Sequence, residues 1–354
     1  TRDSEAWERP QAGVEAGAWL RRGKYADALS AADAGLRLGP QGEDRVELLV
    51  VAGMAEDYLG DADRALRRYV DAGEVAQRIG SVQLATRVRA IEAFTFQRNG
   101  RLDEAAERYR ACLDEARVAD DRGSIANYAG NLGSVLFLSG RIGEAIRHYE
   151  TALAAARWVG RASGAVTTQA NLALCLAKVG QHEQALRHAE EAASSAGRLG
   201  LRRVELQAGE IVAEVARRRG EFDAARRGFA EAEAGYAALG QEREATEAAL
   251  HRVECVVLEA RPVDPAELAA IARRTEAGGY EDFVPRLRAV QARVALAAGD
   301  LPAAVNAAER SFAAARRRGD LEAQADAAAI LARALQQSGD EEGAEKHRRA
   351  KREA

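Results

Sequence analysis

Apolar residues recur along the chain at spacings of three and four: Leu132, Val135 and Leu136 in one segment, then Ile142, Ala145, Ile146, Tyr149, Ala152 and Leu153 in the next. That spacing gathers them on one face of a 3.6-residue helical turn. Each stripe stops at a glycine. One set, Gly23, Gly60, Gly100, Gly140, Gly180, Gly220, Gly299 and Gly339, is separated by 37, 40, 40, 40, 40, 79 and 40 residues. The longest interval spans two periods, and the turn of the missing member falls at Ala260 and Arg261. A second set, Gly80, Gly160, Gly200, Gly240, Gly279 and Gly319, lies midway between the first, and Asp120 fills its empty slot. Glycine reaches the left-handed conformation that ends a helix at no steric cost. Each period therefore reads as two helices of roughly 16 to 18 residues, about 25 Å long.

A helix pair of that size cannot bury its apolar stripe alone, so pairs must stack. The pattern predicts an all-α chain of about nine pairs and about 18 helices, with no strand. A lead-in segment at 1–9 is followed by repeats at 10–40, 43–80, 81–120, 121–160, 161–200, 201–240, 241–279, 280–319 and 320–354. The seventh is irregular, because Arg261-Pro262-Val263-Asp264-Pro265 replaces its glycine turn. Asp264 is expected as N-cap, Pro265 at the first helical position and Glu267 closing a capping box, with a short second helix ending near Ala277.

Small residues recur seven before each turn glycine (Ala16, Gly53, Ala93, Gly133, Ala173, Ala213, Ala292, Ala332) and five after it (Ala28, Ala65, Ala105, Ala145, Ala185, Ala225, Ala304, Ala344). An aromatic often follows nine after it, as at Tyr69, Tyr109, Tyr149 and Phe229. This register resembles the tetratricopeptide repeat, and repeat four, from Asn131 to Ala152, matches it best. The 40-residue period is similar to the longer variant found in kinesin light chains, Pins-type adaptors and bacterial regulators. The resemblance implies a right-handed superhelical solenoid whose first helices line a concave groove, and a non-catalytic scaffold that binds a peptide or partner segment there.

Composition narrows the class. Over 354 residues, 51 Lys and Arg against 55 Asp and Glu give a net charge of -4, which lacks the basic footprint of a nucleic-acid binder. Cys112, Cys175 and Cys255 are far apart and form no CxxC, so no disulfide framework is expected, and a reducing cytoplasm fits. The 18-residue stretch from Gly123 to Gly140 carries no charge, yet holds Asn127 and Asn131 on a periodic helix, so it reads as a buried helix rather than a membrane span. The opening without Met reads as an excised part of a longer bacterial signalling or regulatory protein.

Catalytic chemistry is not legible. The segment Gly17 to Tyr25 has the wrong spacing for a phosphate loop, and His182 and His188 are six apart where a zinc helix needs four. No catalytic residue, metal ligand or cofactor is expected, and the chain is not expected to be an enzyme. In the resembled family, positions 13, 9, 6 and 2 before the turn glycine face the groove. These give Arg87, Ile91, Phe94 and Arg98; Asn127, Asn131, Ser134 and Leu138; Thr167, Asn171, Leu174 and Lys178; and Gln207, Ile211, Glu214 and Arg218. Asn131 and Asn171 occupy one slot in successive repeats, where stacked amides offer donor and acceptor to a peptide backbone. Ile91, Ile211 and His251 take that slot elsewhere. The expected groove is Arg87, Arg98, Asn127, Asn131, Asn171, Lys178 and Arg218, positive enough to favour a segment with acidic groups. Two other roles fit the same array: a peptide-responsive regulator of the Rap type, or the sensor of an enzyme whose catalytic domain lies outside this chain.

Overall fold

The computed structural model describes residues 13–318 and 320–353. The lead-in segment and Gly319 lie outside the described residues. Among those described there are 18 helices and no strand. In chain order they are α1 (13–21), α2 (Tyr25–Arg37), α3 (Gly42–Tyr58), α4 (Ala62–Arg78), α5 (Val82–Arg98), α6 (Leu102–Val118), α7 (Arg122–Leu138), α8 (Ile142–Trp158) and α9 (Ala162–Lys178). There follow α10 (His182–Leu199), α11 (Arg202–Arg218), α12 (Phe222–Ala238), α13 (Glu242–Leu258), α14 (Pro265–Ala277), α15 (Val284–Ala297), α16 (Leu301–Arg318), α17 (Leu321–Gln337) and α18 (Glu341–Glu353). The chain divides into two compact units, Thr1–Val179 and Gly180–Ala354. Within each unit consecutive helices pack as pairs and pair stacks on pair, which makes the architecture an all-α repeat solenoid.

The stops behave as the pattern predicts. Gly140 has φ +73°, and the two slots that lack glycine, Asp120 and Ala260, are forced into the same region at φ 48° and 55°. Asp tolerates that conformation through local hydrogen bonding, but Ala gains nothing there. Ala260→Gly should raise the stability of the second unit by roughly 0.5–1 kcal/mol, read as a higher urea midpoint at unchanged slope.

Small residues sit where helices meet. A Cβ on Gly133 would lie 2.9 Å from the Tyr149 ring, and one on Gly53 would lie 2.6 Å from Tyr69. Ala145 and Ala185 are fully buried. The aromatic nine after the turn thus lies over the small residue seven before it. Tyr69, Tyr109, Tyr149 and Phe229 are all buried at that slot. The three cysteines are free and buried, and burial pushes each thiol up to about 12, so they pack as small apolar groups.

The seventh pair is irregular, with one correction. Asp264 caps α14 and Pro265 opens it, but the Asp264 carboxylate accepts from the Ala266 N–H at 2.8 Å. Glu267 does not close a box. Its carboxylate instead meets Arg252 at 2.5 Å, because α13 presents a guanidinium within reach, and a charge pair outweighs one more cap bond.

The second unit also carries a titratable core contact. Burial pushes the Glu210 carboxyl up to about 8, opposed by the Tyr236 hydroxyl donating to it at 2.8 Å and reinforced by Glu247 and Glu244. A carboxyl raised in the fold adds stability that is complete below its ordinary value near 4.5 and is lost as pH rises through about 8. Glu210→Gln should abolish that slope, leaving the variant roughly 1–2 kcal/mol more stable than the parent at alkaline pH, since a tenfold change in proton affinity between folded and unfolded chains is worth about 1.4 kcal/mol. Urea midpoints across this range would reveal it.

Candidate functional site

The inner faces of α7 and α9 are unusual in a chain with 30% charged residues. Arg122 at its first position is the sole charge on α7, and Lys178 at its last position the sole charge on α9. Small residues, Gly130, Gly133, Ala170 and Ala173, lie along the middle of both helices. The two touch, and between them lies a pocket of about 380 Å³. Asn127, Asn131 and Ser134 line it from α7 at i, i+4 and i+7, so one helical face presents all three. Thr167, Thr168 and Asn171 line it from α9, with Tyr149 and Ala156 of α8 and Arg161 completing the wall.

Several of the polar groups are already engaged. Ser134 hydrogen bonds to the Gly130 carbonyl at 3.1 Å and shares a 3.0 Å contact with the Tyr149 hydroxyl. Tyr149 is buried, which pushes its phenol up to about 12 and keeps it neutral. Asn127 Oδ1 accepts from the Arg161 guanidinium at 3.1 Å. Among the described residues the exposed Asn131 amide has no hydrogen-bond partner, and the residue lines the pocket. Apart from Arg161 the wall is therefore neutral, hydrogen-bonding and open.

The seven residues expected to form the groove separate into three groups. Asn127, Asn131 and Asn171 converge on this pocket. Arg87 and Arg98 stand on α5, outside its lining. Arg87 makes a two-pronged pair with Glu47 at 2.5 and 3.0 Å, and Arg98 lies 3.5 Å from the buried Asp57 with its guanidinium 4.1 Å from the Tyr58 ring centre. Lys178 ends α9 with its ammonium 5.8 Å from the Phe137 ring centre. Arg218 belongs to the second unit, where it pairs with Glu214 at 2.6 Å and where Glu214 also binds Arg217 at 2.7 Å. The expected strip of free positive charge is therefore corrected. Glu47, Asp57 and Glu214 neutralise three of its four cations, because carboxylates on neighbouring helices or one turn away stand within reach of long arginine side chains.

Arg161 is the lining residue that sequence reasoning passed over. It occupies the N-cap slot of α9, the place where Ser81 and Asp121 accept the N–H of Leu84 and Ser124 to cap α5 and α7. The signal was there in the register: a basic residue in a capping slot. Among the described residues no group of three or more His, Cys, Asp or Glu could hold a metal ion. Among those residues, too, no helix is long and apolar enough to cross a membrane.

Comparison with known proteins agrees with this architecture. Residues 90–157 and 124–198 match the family model described as tetratricopeptide repeat. No curated protein matches the chain. Among solved structures, a Rap protein complexed with Competence and Sporulation Factor is similar at TM-score 0.64 and 15% identity, over 98% of this chain and 97% of that one. Aspartyl phosphate phosphatase F from Bacillus subtilis is similar at TM-score 0.62 and 13% identity, over 96% and 91%. A signal transduction ATPase with a tetratricopeptide repeat sensor, from Pyrococcus horikoshii, is similar at TM-score 0.56 and 14% identity, over 97% of this chain but 50% of that one. At these identities the likeness is one of fold.

Proposed function

We propose that this chain, a tetratricopeptide-repeat protein, is a non-catalytic interaction scaffold that holds an extended segment of a partner protein in the pocket between α7 and α9. The observation that carries this reading is the convergence of Asn127, Asn131 and Asn171 on a wall whose one charged member is Arg161. An amide pairs with a peptide N–H and C=O alike. Arginine and carboxylate pairs cover the α5 face and the start of the second unit, so ligand selectivity there would require breaking an existing pair. We infer a signalling or regulatory role for the scaffold, in the cytoplasm.

A second reading is favoured by one observation. The fold follows a Rap protein complexed with Competence and Sporulation Factor over nearly the full length of both chains, which supports a regulator whose array responds to a bound ligand. In both readings the segment occupies the same pocket. The test is a selection of displayed random peptides on the whole chain, followed by rescreening on Thr167→Trp. Thr167 is half-buried and lines the pocket, so an indole there fills it. The enriched peptides should lose binding to the variant; retention of full affinity would remove the pocket from the account.

A further inference from the structure

We propose that Arg288 on α15 and Arg310 on α16 form a phosphate-binding site in the second unit. Its ligand group is a phosphoryl dianion, supplied by free phosphate or by a phosphorylated side chain of a partner protein. The site shares no residue with the pocket between α7 and α9 and does not depend on it.

The repeat register supplies an internal comparison. Arg288 stands eleven residues before the turn glycine Gly299, in the slot that Arg89 fills before Gly100. Both side chains are half-buried. Arg89 is answered by carboxylates: Glu115, fifteen after its glycine, pairs with Nη1, and Glu92, eight before, adds a weaker attraction. Although burial works the other way, Glu115 holds the Arg89 guanidinium above its ordinary value. In the repeat of Arg288 those two slots hold Ala314 and Gln291. The slot eleven after the glycine, Ala111 in the one repeat, is Arg310 in the other. Two acids are gone and a base has been added.

The surroundings of Arg288 reflect this exchange. Its Nη1 donates to the neutral Gln291 Oε1 at 2.8 Å, and its Nε–H is buried with no acceptor. Its Nη2 is unpaired and not buried, which leaves one donor edge open. Burial first, and Arg310 next, push the guanidinium below its ordinary value, and the exposed Glu276 on α14 offsets only part of this. Among the described residues neither Arg288 nor Arg310 pairs with a carboxylate. Two like charges, one of them half-buried, cost the fold stability until an anion joins them. Arginine cannot shed its proton to escape that cost. A phosphoryl group offers three acceptor oxygens and close to two negative charges, so it answers both guanidiniums at once where a carboxylate would answer one.

The experiment titrates the whole chain with inorganic phosphate, with sodium chloride at matched ionic strength as the blank. The reporter is the Arg288 Nε–Hε resonance, assigned by its absence in Arg288→Gln; burial of that N–H shields it from exchange with water. Phosphate should move it saturably and chloride should not. The Arg89 resonance, assigned in the same way through Arg89→Gln, should stay still because its counter-ion is in place. Arg310→Gln removes an exposed charge, so the fold persists, and it should weaken phosphate binding at least about tenfold. Gln291→Glu restores the acid of the third repeat at nearly constant volume. It should weaken phosphate binding similarly while raising the melting temperature of the second unit by about 2–4 °C, which separates an occupied site from a damaged fold. Random octapeptides with a fixed phosphoserine, compared with free phosphate, name the source. Phosphopeptides binding at least about tenfold tighter place the group on a partner chain, and equal or weaker binding assigns free phosphate. An Arg288 resonance that phosphate leaves unmoved, or moves equally in Arg310→Gln, would overturn the site.

Discussion

Gly133→Leu lowers the stability of the first unit by about 3 kcal/mol, an effect at the upper end of what overpacking costs. The reason is geometric. A Cβ alone at this position would stand 2.9 Å from the Tyr149 ring, closer than packed side chains approach, and a leucine adds three more carbons in the same direction. Tyr149 cannot retreat, because it is buried and its hydroxyl is tied to Ser134 at 3.0 Å. In a stack of repeats the strain is felt mainly by immediate neighbours, so the second unit should keep its own transition. The check is a urea titration of the whole chain monitored by tryptophan emission, with Trp158 reporting on α8. An unchanged midpoint for the first unit would mean that the close contact between α7 and α8 does not exist. Because Tyr149 also lines the pocket, the same change should impair ligand binding, which makes it unsuitable as a probe of the site.

Asn131→Ala combined with Asn171→Ala should weaken binding of a selected peptide at least tenfold while moving the melting temperature little. Each amide that satisfies a desolvated backbone group is worth about 1–3 kcal/mol once lost, and about 1.4 kcal/mol is a factor of ten. Asn131 is exposed and Asn171 only half-buried, so neither holds the helices together through its packing. Isothermal titration of parent and double variant settles the matter. Equal affinities would place the ligand on another surface; a large fall in melting temperature would reassign both amides to the fold.

Much of this was legible in the chain because the physics is local. The glycine register fixes helix ends through φ alone, which is why even the substitutes Asp120 and Ala260 adopt positive φ. The small and aromatic slots could be paired from the period, as Gly133 with Tyr149. The three asparagines could be placed on one wall because i and i+4 share a helix face and because slots repeat every 40 residues. The electrostatics were not legible to the same degree. Glu47 and Arg87 occupy one slot in successive repeats, so their pairing was implicit in the register. By contrast, Asp57 with Arg98 and Glu267 with Arg252 depend on which rotamer a long side chain selects. Arg161 was missed for a related reason: a residue in a turn was read for its backbone, and only the structure shows its side chain reaching back 34 positions to Asn127.

The central claim is that the pocket between α7 and α9 is where a partner segment lies. It is tested most directly by giving a selected peptide a photoreactive residue at each position in turn, irradiating the complex with the whole chain, and mapping the crosslinked sites. Crosslinks are expected on the pocket residues between Ala126 and Asn171. Crosslinks confined to the second unit, or to the outward faces of α6 and α8, would contradict it.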